Sequence, residues 1–353
     1  MAELHSELLK QRNPWAGNQN TIWLASNIAL RRNIEKFKFP GKMHVDKRKQ
    51  IIEILSAEMS KCTFLEGVQV LKAEDLSPLE KEFLVEHYLS YESFQGAHQG
   101  EAFMIDKTGE MLSSLNIRDH LHIQEIDITG NIESAWSRLV KIEGQMGEAI
   151  RWSFSSQFGF LTADPFECGT GLTATLFLQL SALIHTGKLA PLLENLKDET
   201  IHLKHFLGHT EAFIGDMIVV SNNFCLGFNE ETILSSLRSF SSKLIQAERQ
   251  ERQAIAQAES ADIKDKVARS YGVLVHSYQI EAQEALNAIA SLKLGRDLNW
   301  IKGIEINSLN ELFFNCRRAH LLSRSLEKIS QGDIPHKRAE FIHHSLKGVE
   351  LLV

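Results

Sequence analysis

No apolar run in the chain reaches about eighteen residues, so no membrane-spanning helix is expected. Only six prolines occur, without a low-complexity tract, which argues against long disordered segments. The four cysteines, Cys62, Cys168, Cys225 and Cys316, lie far apart. None forms a CxxC pair, so neither a zinc knuckle nor a disulfide framework is implied, and reduced, mostly buried thiols are expected. Positive charge is not in excess: 38 Lys and Arg face 45 Asp and Glu, a net charge of −7 that gives no basis for bulk nucleic-acid binding. The opening MAELHSELLKQRNPW has charges where a signal peptide needs an apolar centre, and the expected compartment is the cytoplasm. HExxH, GxxxxGKS/T and GxSxG are all missing, which removes the sequence grounds for a zincin, a P-loop enzyme or an α/β-hydrolase.

What remains is a soluble globular composition, 43% apolar and 24% charged, in 353 residues, enough for two domains. Short segments rich in apolar or β-branched residues predict strands at 21–28, 102–105, 110–115 and 217–220. Helical spacing of Trp136, Leu139, Val140, Ile142 and Met146 predicts a helix over 134–152. A second, more buried helix is expected over 172–185, after the Gly169-Thr170-Gly171 turn. Beyond Gly227 the pattern changes. Asn229 followed by Glu230 and Glu231 suits a helix start, because the amide can cap and the acids favour the positive end of the dipole. Ile233, Leu234, Leu237, Phe240, Leu244 and Ile245 then line one helical face, and helical periods continue to the end. The expected fold class is α+β. An antiparallel sheet flanked by helices (residues 1–250) precedes an all-α domain (251–353), and the charged run 246–253 is expected to be a solvated helix face between them.

Several stretches, in order, carry a resemblance. Residues 21–33 (TIWLASNIALRRN) with Phe39-Pro40 are similar to IVLSSRIRLARN and FP. Residues 78–86 resemble a PLEK/LVE stretch, and 116–124 (NIRDHLHIQ) resemble NEEDHLRIQ. Residues 159–165 and 169–172 are similar to GYLTxCP and GTGL. Ser221-Asn222 with Leu226-Gly227, then Arg269-Ser270-Tyr271-Gly272, Ile301–Ile304 and Leu309–Leu312, complete the series. On these residues the chain is identified as a member of the bacterial protein-arginine kinase (McsB-type) family, a branch of the guanidino kinases. The resemblance implies a guanidino-kinase sheet domain, then a helical domain for dimerisation and partner contact. It further implies a homodimer, a small zinc-binding activator of the McsA type, and components of the Clp protease system.

Transferring the γ-phosphoryl of ATP to a guanidinium is mostly positioning and charge neutralisation. Arginine forks grip the phosphates, and a carboxylate orients the acceptor and takes its proton. Carried over residue by residue, the resemblance assigns two phosphate arginines to Asn27 and Ala29, alternate positions on one strand face. Arg31 lies on that face roughly 6.6 Å further along, two residues at strand rise, and Arg32 points the other way. Two further arginine positions hold His122 and Thr173, and a fifth aligns with Lys204-His205. The adjacent acceptor glutamates align with Ile117 and Arg118, while Asp119 and His120 remain as loop supports. The reactive cysteine position holds Asp164, and a second acceptor-side Glu aligns one place away from Glu211.

Each lost charge donor costs roughly a hundred- to a thousandfold in rate, and a lost base about a hundred- to ten-thousandfold. The expectation is a pseudokinase with no intact catalytic residue and no cofactor. The alternative is a divergent ATP-dependent protein-arginine kinase that uses ATP and Mg through Lys204, His122, Arg31, Arg118 and Glu211. Asp164, Asp119, His120, His122 and His209 are read as solvated or locally bonded, and no metal site is expected. In the tail, the family's phosphoarginine-binding RD pair aligns with Ile334-Pro335. Lys337 and Arg338 are read as a solvated helix start. Ile301, Ile304, Leu309, Leu312, Phe313 and Phe314 are expected in the core, with a subset as a candidate dimer face.

Overall fold

The computed structural model describes residues 7–11, 13–206, 213–325 and 329–352. Strands β1 (Trp23–Arg32), β2 (Val68–Lys72), β3 (Ala102–Asp106), β4 (Met111–Leu115), β5 (Leu121–Asp127), β6 (Phe154–Ser155), β7 (Gly159–Phe160), β8 (Leu172–Gln179), β9 (Ile201–His205) and β10 (Met217–Asn222) occupy the first part. Helices α1 (Val45–Ser60), α2 (Pro78–His87), α3 (Ile132–Gly147), α4 (Ser181–His185) and α5 (Leu189–Asn195) lie between them. Then come α6 (Glu230–Ala258), α7 (Ala261–His276), α8 (Ala282–Asp297), α9 (Ile306–Asn315), α10 (Arg318–Ser323) and α11 (Ile334–Ser345). Two short strands, β11 (Ile301–Lys302) and β12 (Glu350–Leu351), pair within the helical part.

Eight strands form one antiparallel sheet in the order β2-β3-β4-β5-β1-β8-β10-β9, as the α+β reading requires. Both faces are covered. Ile28, Leu30, Leu176, Leu178, Ile218 and Val220 pack with residues of α1, α3 and α6. Their alternates Phe177, Met217 and Val219 pack on the opposite face with Leu286, Phe313 and Phe314 of the helical part. In β8 the two parities differ: Leu172, Ala174, Leu176 and Leu178 face the side of α1, α3 and α6, while Thr173, Thr175 and Gln179 share the other face with Phe177, a period of two that no helix needs.

That explains one correction: residues 172–185 are not a helix. LTATLFLQ is the fully paired β8, and only the short α4 follows, after Leu180 leaves strand geometry (φ −118°, ψ 49°). The 134–152 helix begins at Ile132 and ends at Gly147, and Trp152 instead bridges Ile34. β1 starts two residues later than expected and runs through Arg32.

Asn229 caps α6 as anticipated, its side chain accepting the Thr232 N–H at 2.8 Å. The charged run 246–253 within α6 is solvated on one side only, where Gln246, Arg249, Gln250 and Gln253 are exposed. Glu248, Glu251 and Arg252 are buried. Glu248 accepts the Ala182 and Leu183 N–H groups at 3.0 and 2.9 Å, satisfying free donors in the first turn of α4. The Arg252 guanidinium is shared among Glu248 (2.8 Å), Asp297 and Thr21, so α6 ties the segment before β1, α4 and α8 together. The run looked like a surface because charge in sequence does not reveal its partners.

Arg338 is likewise buried. It donates to the carbonyls of Cys316 (2.8 Å) and Ile280 (2.9 Å), clamping α11 to the chain before α8, while the exposed Lys337 pairs with Glu340. Ile301, Ile304, Leu309, Leu312, Phe313 and Phe314 all lie in the chain's own core, so none of them offers a free dimer face. The four cysteines are unpaired, and all but the half-buried Cys168 are buried. Among the described residues no helix is long and apolar enough to cross a membrane.

Candidate functional site

Register decides which side chains can meet. His122 of β5 lies opposite Arg31, and Gln124 and Thr173 lie opposite Ala29. Thr175 lies opposite both Asn27 and Ser221, and Val219 lies opposite Lys204. Directly opposed residues share a face. Asn27, Ala29, Arg31, His122, Thr173 and Lys204 therefore lie on one face of the sheet.

The neutral positions do not act as anion grips. Asn27 spends its amide on the Tyr88 carbonyl (2.9 Å), Ala29 is buried, and Thr173 is half-buried. Arg31 is the one guanidinium on this face of β1, and it is already neutralised. It pairs with Glu92, with Glu167 (Nε–Oε2 3.0 Å) and with Asp119 (Nη1–Oδ2 3.6 Å). Burial works against its charge, but Glu92, Glu167 and Asp119 together raise its pKa, so it stays cationic. Arg32 points to the opposite face, as strand alternation requires. It pairs with Glu143 of α3 (2.8 Å), donates to the Thr170 carbonyl (2.9 Å), and stacks on Phe160.

Arg118 reaches the same acids from the loop before β5, at 3.2 Å from both Asp164 and Glu167 and 3.7 Å from Glu92. Two guanidiniums thus face four carboxylates: Glu92, Asp119, Asp164 and Glu167. Burial raises the Glu167 carboxyl above its ordinary value against the pull of Arg31 and Arg118. Burial also opposes the Glu92 charge, but its positive neighbours, His122 when protonated and then Arg31 and Arg118, hold that carboxyl low. Lys204 sits at the edge, its ammonium 5.5 Å from the centre of the Tyr91 ring. Burial lowers its pKa first and the Arg31 charge adds to this, while Glu167 and Glu92 oppose it.

Asp119 and His120 lace the loop. Asp119 accepts from Asn33 (2.6 Å) and Ala163 N (2.7 Å), and His120 Nδ1 accepts from Ile34 N (2.9 Å). Ile117 is half-buried beside the cluster of Phe103 and Leu112. Glu211 and His209 lie outside the described residues. Among the described residues no group of His, Cys, Asp and Glu is arranged to hold a metal ion.

His122 is buried, and burial, reinforced by Arg31, pushes its pKa down to about 3. At neutral pH it is an uncharged ring. Below about 6.5 the unfolded chain takes up a proton that the folded chain refuses until about 3. His122 therefore costs stability as pH falls through that window, at about 1.4 kcal/mol per unit. Urea unfolding of His122→Gln at pH 7.5 and 5.5 should show an acid loss smaller than wild type by about that slope. Equal losses in the two proteins would mean that the folded chain protonates His122 freely.

Sequence reading missed Glu92, Glu167 and Tyr91. Glu92 lies in the loop after α2, with no motif around it, and only its approach to Arg31 reveals a role. Glu167 was within sight: it stands between the 159–165 and 169–172 resemblances, three residues after Asp164.

An antiparallel sheet carrying these positions on one face, with helices on both sides, defines a protein of the guanidino-kinase fold. Lombricine kinase superposes with a TM-score of 0.56 at 18% identity, covering 74% of this chain and 73% of that one. A duplicated taurocyamine kinase from Schistosoma mansoni gives 0.55 at 19%, covering 70% of this chain and 36% of that one. Residues 50–251 match the ATP:guanido phosphotransferase C-terminal catalytic domain, and residues 260–351 match the protein-arginine kinase McsB C-terminal domain. The protein-arginine kinase of Chlamydia pneumoniae is 35% identical over 94% of this chain and 93% of its own length. That of Bacillus cereus strain AH187 is 29% identical over 95% and 96%. The chain belongs to the protein-arginine kinase family of ATP:guanido phosphotransferases.

Proposed function

We propose that this chain is a non-catalytic, regulatory member of that family: a McsB-like pseudokinase that acts by binding. The observation that carries the reading is the state of Arg31. Its guanidinium is ion-paired with Glu92, Glu167 and Asp119. Four of the five phosphate-fork positions, Asn27, Ala29, His122 and Thr173, hold no cation at neutral pH, and the fifth keeps a charge only as Lys204, without a fork. A triphosphate brought to this face meets carboxylates already seated on the available forks, and displacing them costs the pairing of a buried cation. The residues present do not fit ATP and Mg, and no transfer step is derived through them. The homodimer, the McsA-like zinc-binding activator, the Clp protease components and the cytoplasmic setting are part of this proposal, on the strength of family resemblance. No nucleic acid, membrane or cofactor is included.

A second reading has its own support, namely full-length similarity to proteins named protein-arginine kinase. Under it, a divergent kinase uses Lys204, His122, Arg31, Arg118 and Glu211 in a rearranged site. The two readings part on one pair of measurements. Under the first, Mg-ATP leaves the thermal midpoint unchanged and purified protein puts no phosphate on arginine in a protein substrate. A ligand at a hundred times its Kd stabilises by about 2.7 kcal/mol, so a bound nucleotide would be plain. A positive shift, with arginine phosphorylation that Lys204→Ala abolishes, establishes the second reading and removes the first.

A further inference from the structure

Large apolar side chains are exposed at thirteen of the described positions, and six of them fall in two stretches: Phe154, Phe158 and Phe166, then Phe224, Leu226 and Phe228. Phe166 is the extreme, 85% exposed, and Phe154 is 61% exposed. The stretches are neighbours in space. Phe160 and Gly169 exchange backbone hydrogen bonds of 2.8 and 3.1 Å, joining the β6–β7 hairpin to the turn that carries Phe166. Thr170 N donates to the Cys225 carbonyl at 3.1 Å, joining that turn to the loop after β10. The joint is close: Gly169 has φ +115°, and a Cβ there would lie 2.2 Å from the Cys225 oxygen. Only glycine satisfies both the φ and the contact.

These side chains are thus carried on backbone segments bonded to one another, and Phe166 stands between Asp164 and Glu167, the two acids that Arg118 holds. Each phenylalanine left in water forgoes about 1.5–3 kcal/mol of burial. An exposed apolar concentration of this kind marks an interaction surface. Its charge is one-sided. Residues 153–171 and 219–232 contain no Lys or Arg, and four carboxylates: Asp164, Glu167, Glu230 and Glu231. Arg118 answers Asp164 and Glu167. It also stands close to Glu92, while Arg31 is shared by Glu92, Glu167 and Asp119, so carboxylates outnumber the guanidiniums.

We propose that this aromatic patch is a docking surface for a segment of another protein in which large apolar side chains are flanked by lysine or arginine. Apolar area supplies the affinity and the acidic rim selects the basic flanks. A second copy of this chain is the poorer occupant. A two-fold contact sets a patch against itself, which here opposes carboxylates to carboxylates. The inference stands apart from the question of phosphoryl transfer, since none of the six side chains is assigned to that chemistry.

The test uses the full-length chain and fluorescent synthetic peptides, read by anisotropy. One peptide alternates Phe or Leu with Arg, a second replaces Arg by Glu, and a third replaces the apolar residues by Ser. The first should bind, weakening as salt is raised, and the other two should bind at least about tenfold more weakly. Phe166→Ser and the pair Phe154→Ser/Phe228→Ser should each lower affinity for the first peptide at least about tenfold. Their thermal midpoints should stay near wild type, because the altered side chains are exposed. No binding of the first peptide, or equal binding by wild type and the variants, overturns the proposal. So does a concentration-dependent dimer, seen by sedimentation, that Phe166→Ser dissolves.

Discussion

Glu248→Ala should destabilise the chain by about 3–5 kcal/mol, the cost of opening a buried charge network. Glu248 is fully buried and carries three bonds at once: two N–H groups at the start of α4 and the Nε of Arg252. Alanine leaves both amides without an acceptor, each costing about 1–3 kcal/mol when it cannot reach water. Asp297 still holds Arg252, which keeps the loss from growing larger. Glu248→Gln keeps a carbonyl for one amide and should cost about half as much. Chemical denaturation checks both variants. An alanine variant within about 1 kcal/mol of wild type would mean that water or a rearranged Glu251 fills the gap.

Removing Glu92 is the second large effect. Glu92→Ala takes away the nearest partner of buried Arg31 and should cost about 2–3 kcal/mol, less than a fully orphaned charge because Glu167 and Asp119 remain. Arg31→Met alone should cost a similar amount, by leaving Glu92 short of its cation. The double variant Arg31→Met/Glu92→Leu should recover most of the loss, since an apolar pair avoids the desolvation that both charges suffer. The double-mutant cycle therefore gives a large coupling energy. Strictly additive losses would show that Arg31 and Glu92 do not depend on each other, and the account of an Arg31 already neutralised by its acids would lose its centre.

Individual strands were legible where they ran short between turns, as at β3, β4 and β10, but their order in the sheet was not. β8 was misread as a helix although Leu172, Ala174, Leu176 and Leu178 alternate with Thr173, Thr175 and Gln179, because Phe177 interrupts the alternation and the apolar run continues into α4. The faces of Arg31 and Arg32 followed from parity alone, and the structure places them so. The acids that close on Arg31 did not follow. Glu92 arrives from sixty-one residues away, and no local pattern marks a long-range ion pair. The same blindness made the Glu248–Arg252 run look wet and Arg338 look like a surface residue. Charge is conspicuous in a sequence, while its burial depends on what folds over it.

The helical half is the roof over one side of the sheet, and α6 passes residue 250 without a break. Cutting the chain there would strip the cover from Phe177, Met217 and Val219 and leave that face of the sheet bare to water. A chain of this family would have no freedom to discard the sheet, with or without phosphoryl transfer, because the helices lean on it. The survival of the whole architecture is thus a debt to packing and carries no testimony about turnover.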